Sequence, residues 1–149
     1  MSRLSPRRVF GTLAVAEAVT WALLLAGMWV KYVPETTELG VRVFGMVHGV
    51  VFIAYCLVTV VVAVDQRWSW WRGLLGLVAA VPPFATLLFE RYAAARGLLD
   101  EHWLSRHHSP TAPQRAVCFL LRHHVAAVFG YVAAVLGLTG VALLLGPPA

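Results

Sequence analysis

The sequence predicts an all-α, polytopic membrane protein built as a four-transmembrane-helix bundle. Three observations point there. Of the 149 residues, 60% are hydrophobic and only 13% are charged, against about 45–50% and about 25% in an average soluble domain. The few charges avoid four long apolar runs. Arginines and tryptophans gather at the ends of those runs, where lipid head groups would meet them.

The runs are residues 9–30, 43–64, 73–89 and 125–146. The first holds one charge, Glu17, and the other three hold none. A spanning helix needs about 20 predominantly apolar residues, and each run approaches or exceeds that length. Residues 1–8 form a basic tail with Arg3, Arg7 and Arg8. The run behind it is too long for a signal-peptide core, so it reads as a retained span. Pro34, Glu35 and Glu38 mark a water-facing loop before the second helix. Trp68, Trp70 and Trp71 at the next turn suit an aromatic belt.

The third helix is expected to kink at Pro82-Pro83, because proline removes a backbone donor and crowds the preceding turn. Residues 96–115 form the longest loop, in which Leu98, Leu99, Trp103 and Leu104 suggest an interfacial helix. Residues 116–149 hold the fourth helix and a short tail. The division is therefore a tail at 1–8, a three-helix core at 8–95, a loop at 96–115 and an added C-terminal helix.

A net charge of +5 resides at helix ends, and no nucleic-acid-binding motif accompanies it. The partners expected are the bilayer itself, a transporter or other membrane subunit, or a second copy joined through small-residue faces. Such faces occur at Gly45 and Gly49 on the second helix, and at Ala126, Gly130, Ala134 and Gly137 on the fourth. Cys56 and Cys118 lie at different expected depths and read as free thiols. No nucleophile motif, phosphate loop or HExxH occurs, so an enzyme is not expected.

Ionisable groups inside spans are costly and normally face the bundle interior. If each run crosses once, Lys31, His48, Glu90 and the start of the fourth helix share one leaflet. The expected polar pocket is Glu17, Lys31, His48, Gly49, Tyr55, Thr86 and Glu90. It would relay a proton or hold a small polar ligand; equally, it would be a hydrogen-bonded cluster that fixes helix register. No metal is expected. The cofactor alternative is haem held by His48 with His123 or His124; structural zinc at His107-His108 or His123-His124 is a weaker one, since adjacent histidines diverge by about 100° on a helix.

Glu17 and Thr20, Lys31-Tyr32, Gly45-x-x-His48-Gly49-x-x-Phe52-x-x-Tyr55, and Pro83-Phe84-x-Thr86 through Glu90 resemble a bacterial integral membrane family, the domain of unknown function 3817. Its hallmark is a His-Gly dipeptide amid three predicted spans. The likeness covers roughly residues 8–92. It makes His48-Gly49 the signature pair and implies the bacterial cytoplasmic membrane, with no established activity and occasional fusion to transporter domains. The chain departs from that pattern at Ala85, where glycine is expected, and in its long loop and fourth helix. With four crossings both termini lie on one side, and the arginine-rich N-terminus makes that side the cytoplasm. The function expected is a non-enzymatic, transport-associated or complex-stabilising membrane protein.

Overall fold

The computed structural model describes residues 5–33, 37–103 and 112–123, with helical positions at 129–130, 132–133 and 137. Every described element is helical: α1 (Pro6–Tyr32), α2 (Leu39–Asp65), α3 (Trp70–Val78), α4 (Ala85–Ala95) and α5 (Ala112–Arg122).

Helix α1 starts where sequence chemistry permits. Ser5 is the N-cap and accepts the Arg8 N–H at 3.3 Å, and Pro6 occupies the first turn, where a missing N–H costs nothing. The 27 residues of α1 extend about 40 Å, enough to cross a hydrocarbon core of about 30 Å. Helix α2 has the same length. Both are apolar, with mean hydropathies of 1.9 and 2.5, yet only 28% and 17% of their apolar windows are buried within the protein. A core helix of a soluble protein hides such a surface; a bilayer accepts it.

The two long helices pack antiparallel. Thr20 meets His48 midway, and Leu24 meets Gly45 nearer the connecting loop. At that loop their backbones touch. A Cβ on Gly27 would lie 2.9 Å from the Gly40 carbonyl carbon and 3.0 Å from the Val41 nitrogen. Glycine at both positions permits this approach.

The third apolar run does not form one long helix. Helix α3 climbs antiparallel to α2, with Gly73 beside Ala63 and Gly76 beside Thr59. It stops after nine residues, about 14 Å and half a bilayer. Residues 79–84 then turn the chain, and α4 descends antiparallel to α1. Thr86 bonds Glu17, Phe89 packs on Phe10, and the Asp100 carbonyl accepts the Arg7 N–H. The expected single kinked helix is thus a half-length hairpin. Pro82-Pro83 deny the chain two backbone donors, and Phe84 takes a left-handed φ of 65° as the N-cap of α4. That conformation normally costs a non-glycine residue about 1–2 kcal/mol. Glycine would suit Phe84 better than Ala85, one residue before the position expected.

The hairpin returns the chain to the end from which α1 started. Trp68, placed in the interfacial belt by the sequence, instead joins Phe10, Tyr55 and Phe89 in an aromatic core. Its Nε1 donates to the Leu98 carbonyl at 2.8 Å. Trp70 and Trp71 do face outward. Both chain reversals here end in the same six-residue cap. Trp68 and Leu98 N–H groups reach back to Ala63 and Ala93, with Arg67 and Gly97 left-handed between, as helix C-caps require. Gln114 at the start of α5 donates to the Asp65 carbonyl, so α5 also docks at this end.

Two corrections to topology follow. Glu90 and the loop after it lie at the N-terminal end, away from Lys31. The cations there include Arg7, Arg8, Arg67, Arg72, Arg91, Arg96 and Arg115, whereas Lys31 and Arg42 flank the opposite loop. With two helices long enough to cross before residue 96 rather than three, termini on one side no longer follow from the sequence pattern. That fourth run lies largely outside the described residues, including Ala126, Ala134 and His124.

Candidate functional site

The long helices and the hairpin meet at Glu17. This carboxyl is fully buried, twelve residues into α1, on the face that α4 covers. Thr86 in the first turn of α4 donates its hydroxyl to Glu17 Oε2 at 2.7 Å, with the Ala14 carbonyl at 3.3 Å as a second acceptor. The carboxyl therefore sits at the amino end of α4, where unpaired N–H groups and the helix dipole favour negative charge.

One turn along α1, Thr20 donates to the Glu17 carbonyl at 2.9 Å. Its oxygen lies 3.0 Å from His48 Nδ1. Since the Thr20 hydrogen is committed to the carbonyl, His48 Nδ1 carries the proton that Thr20 accepts. The imidazole lies against Trp21, with ring centroids 4.6 Å apart, and near Phe52 at 6.3 Å. Glu17 Oε1 and Trp21 Nε1, an acceptor and a donor one turn apart, have no partner among the described residues.

The site is smaller than the seven-residue pocket expected from sequence. Glu17, His48 and Thr86 do converge. Lys31 does not join them; it pairs with Glu38 across the short loop at 3.1 Å. Glu90 lies beside Gly11, with Oε1 3.7 Å from the position of a Cβ there. Tyr55 packs below the cluster, its hydroxyl donating to the Gly76 carbonyl at 3.2 Å. Gly49 faces open space and Gly45 makes an ordinary contact with Leu24, so the close helix approach belongs to Gly27 and Gly40. Gly130 and Gly137 likewise have nothing within 4 Å.

Sequence reasoning missed Thr20 as the bridge, although its 3-residue spacing from Glu17 placed it on the right face. Trp21, on the same face, is the other neighbour. His123 is exposed, with Nδ1 3.0 Å from the Phe119 carbonyl, while the His48 ring is enclosed by α1 and α2 side chains. No group of three or more His, Cys, Asp or Glu converges among the described residues. Cys56 is a half-buried free thiol.

Known proteins resemble this chain through its helical core. The family model described as "Domain of unknown function (DUF3817)" matches residues 7–95. A Streptomyces coelicolor protein named "Putative membrane protein SCO5905" is 53% identical over 95 residues, which is 63% of this chain and 11% of that protein. The chain thus matches only about a ninth of the length of this curated relative. No solved structure matches.

Proposed function

The chain belongs to the DUF3817 family, and from that premise we propose that it is a non-enzymatic accessory module of the bacterial cytoplasmic membrane, built to attach to a larger membrane assembly. A membrane location is supported by two long apolar helices and by the membrane protein it resembles. The relative's length supports the rest: there the shared segment is a small part of a much longer chain.

One observation carries the reading. A fully buried carboxyl ties a through-going helix to a half-length hairpin through the Thr86 hydroxyl. Helix–helix adhesion alone needs no carboxylate, because small residues and neutral hydroxyls suffice. Half-length helices whose ends meet at mid-depth are a recurring way to present a proton or small polar solute to a transport pathway. In this role Glu17, Thr86, Thr20 and His48 would hold the proton or solute that the assembly handles.

The orientation puts the N-terminus in the cytoplasm. The arginine-rich end then faces inward, as the positive-inside rule requires.

Native electrophoresis of membranes from the natural host tests the attachment. The tagged chain should migrate in an assembly much larger than its own 16.3 kDa. Glu17→Gln should leave that assembly intact while abolishing its proton- or solute-dependent activity. A chain that migrates alone, or an assembly indifferent to Glu17→Gln in activity, refutes the proposal.

A further inference from the structure

An apolar groove runs up the outer surface between α2 and α3. Val60 and Val64 form one wall, Leu74 and Leu77 the other, and Trp70 closes its lower end. Gly73 and Ala63 form the floor: a Cβ on Gly73 would lie 3.6 Å from the Ala63 Cβ, so two minimal residues hold the helices close yet leave a channel. The open groove offers a volume of about 260 Å³. From Trp70 to Leu77 it follows α3 for about 10 Å, parallel to the membrane normal that the long helices define.

The chemistry changes at the lower end. Residues 67–72 read Arg-Trp-Ser-Trp-Trp-Arg. Trp70 and Trp71 are 77% and 57% exposed, with ring centroids 4.8 Å apart. That is the position of head-group aromatics. Arg67 and Arg72 are exposed on either side. Arg67 makes a long 3.5 Å contact to Gln114. The acid closest in sequence, Asp65, is buried and engaged by the Gln66 amide at 2.7 Å.

An apolar groove that ends at Trp70, with exposed arginines at 67 and 72, matches one class of molecule. We infer that the α2–α3 groove binds one acyl chain of an anionic glycerophospholipid, whose phosphate headgroup is held by Arg67 and Arg72. The occupant is a lipid rather than a peptide because the groove runs along α2, one of the two long apolar helices, and its lining is apolar but for Thr59. It is anionic rather than zwitterionic because both flanking charges are positive. The inference stands apart from the Glu17 cluster and from the accessory role.

The purified full chain in neutral detergent tests this by native mass spectrometry and thermal melting. Phosphatidylglycerol and phosphatidylcholine with identical acyl chains are the probes, with inorganic phosphate as the soluble control. Two arginines near a lipid surface favour the anionic lipid by about tenfold to thirtyfold. Phosphatidylglycerol should be retained with that preference and should raise the melting temperature. Arg67→Asn with Arg72→Gln should reduce the two lipids to parity; asparagine tolerates the left-handed backbone at position 67. Gly73→Leu should block both lipids. Since that variant fills a packed contact, a phosphatidylglycerol with a photoreactive acyl chain provides an independent measurement on the parent protein. Its adducts should fall on Val60, Val64, Leu74 or Leu77. Equal retention of the two lipids, a preference that survives the double arginine substitution, or adducts spread evenly over the long helices would overturn the inference. A melting shift reproduced by phosphate alone would assign the arginines to a soluble anion and likewise overturn it.

Discussion

Replacing Thr86 with valine removes one hydroxyl and almost no volume. The change isolates the bond between the hairpin and α1. In the parent that hydroxyl is 2.7 Å from Glu17 Oε2, and Glu17 Oε1 has no partner among the described residues. After Thr86→Val both carboxyl oxygens stand buried without a donor. A hydrogen bond to a charged group contributes about 1.5–3 kcal/mol in soluble proteins. Interhelical bonds in membranes average nearer ~0.6 and reach about 1.7 kcal/mol. Because Thr86 is fully buried, the top of the membrane range applies, which meets the bottom of the charged-group range at about 1.5–1.7 kcal/mol of destabilisation. The companion variant decides the mechanism. Glu17→Met with Thr86→Val removes both partners and leaves an apolar contact. It should recover most of the loss, since removing both partners of a buried bond is far less costly than orphaning one. Reversible unfolding in mixed micelles, followed by helical circular dichroism across the four-member cycle, measures the coupling. A Thr86→Val protein as stable as its parent, or a double variant whose losses simply add, would refute the argument that Thr86 is needed to satisfy Glu17.

Three further outcomes are expected. Gly27→Ala should destabilise the protein by about 1–3 kcal/mol, because its Cβ meets backbone that cannot yield; Gly49→Ala should change stability by less than about 0.5 kcal/mol. Melting of both in detergent checks the pair, and equal effects would contradict the Gly27–Gly40 crossing. In a chain whose native cysteines are replaced, single cysteines at Arg8, Arg96 and Glu101 should react with a membrane-impermeant maleimide from one face, and one at Glu38 from the other. Labelling of position 101 together with 38 would mean that the third run crosses after all. The purified chain should show no Soret absorbance, since the His48 ring is enclosed by Thr20, Trp21 and Phe52. A haem spectrum lost in His48→Ala would reverse that reading.

The long spans were legible because lipid imposes a rule that charge distribution reveals directly: 22 consecutive residues without a charge at 43–64 have few other homes. The family was legible from the spacing of Glu17, His48-Gly49 and Thr86. The third run was misread for a physical reason. Seventeen apolar residues interrupted by Pro82-Pro83 have the same hydropathy whether they kink and continue or turn and descend. Only contacts with Phe10, Glu17 and Arg7 distinguish the two, and those are tertiary. The error then moved Glu90 and its loop to the wrong end and created a pocket with Lys31 that the chain does not build. Lys31 had a closer partner seven residues away in Glu38, which a local reading of the loop could have favoured. The glycines erred differently: Gly45 and Gly49 form a familiar spacing on one helix, whereas Gly27 and Gly40 pair across two, where no single-helix pattern reveals them.

The half-length hairpin also constrains how the chain is made. Nine and eleven residues are too short for either limb to be recognised as a span during synthesis. The pair must enter the bilayer together, and its polar contact at Thr86 waits for a carboxyl laid down 69 residues earlier. Until α1 and α2 have emerged and paired, the hairpin has no cause to leave the membrane surface. Insertion is therefore ordered by the fold itself: two helices go in by hydrophobicity, and the third element follows as a post-insertional docking step. A slow phase in membrane integration, sensitive to Glu17 and Thr86 but indifferent to the hydrophobicity of α1, is the kinetic trace such a route leaves.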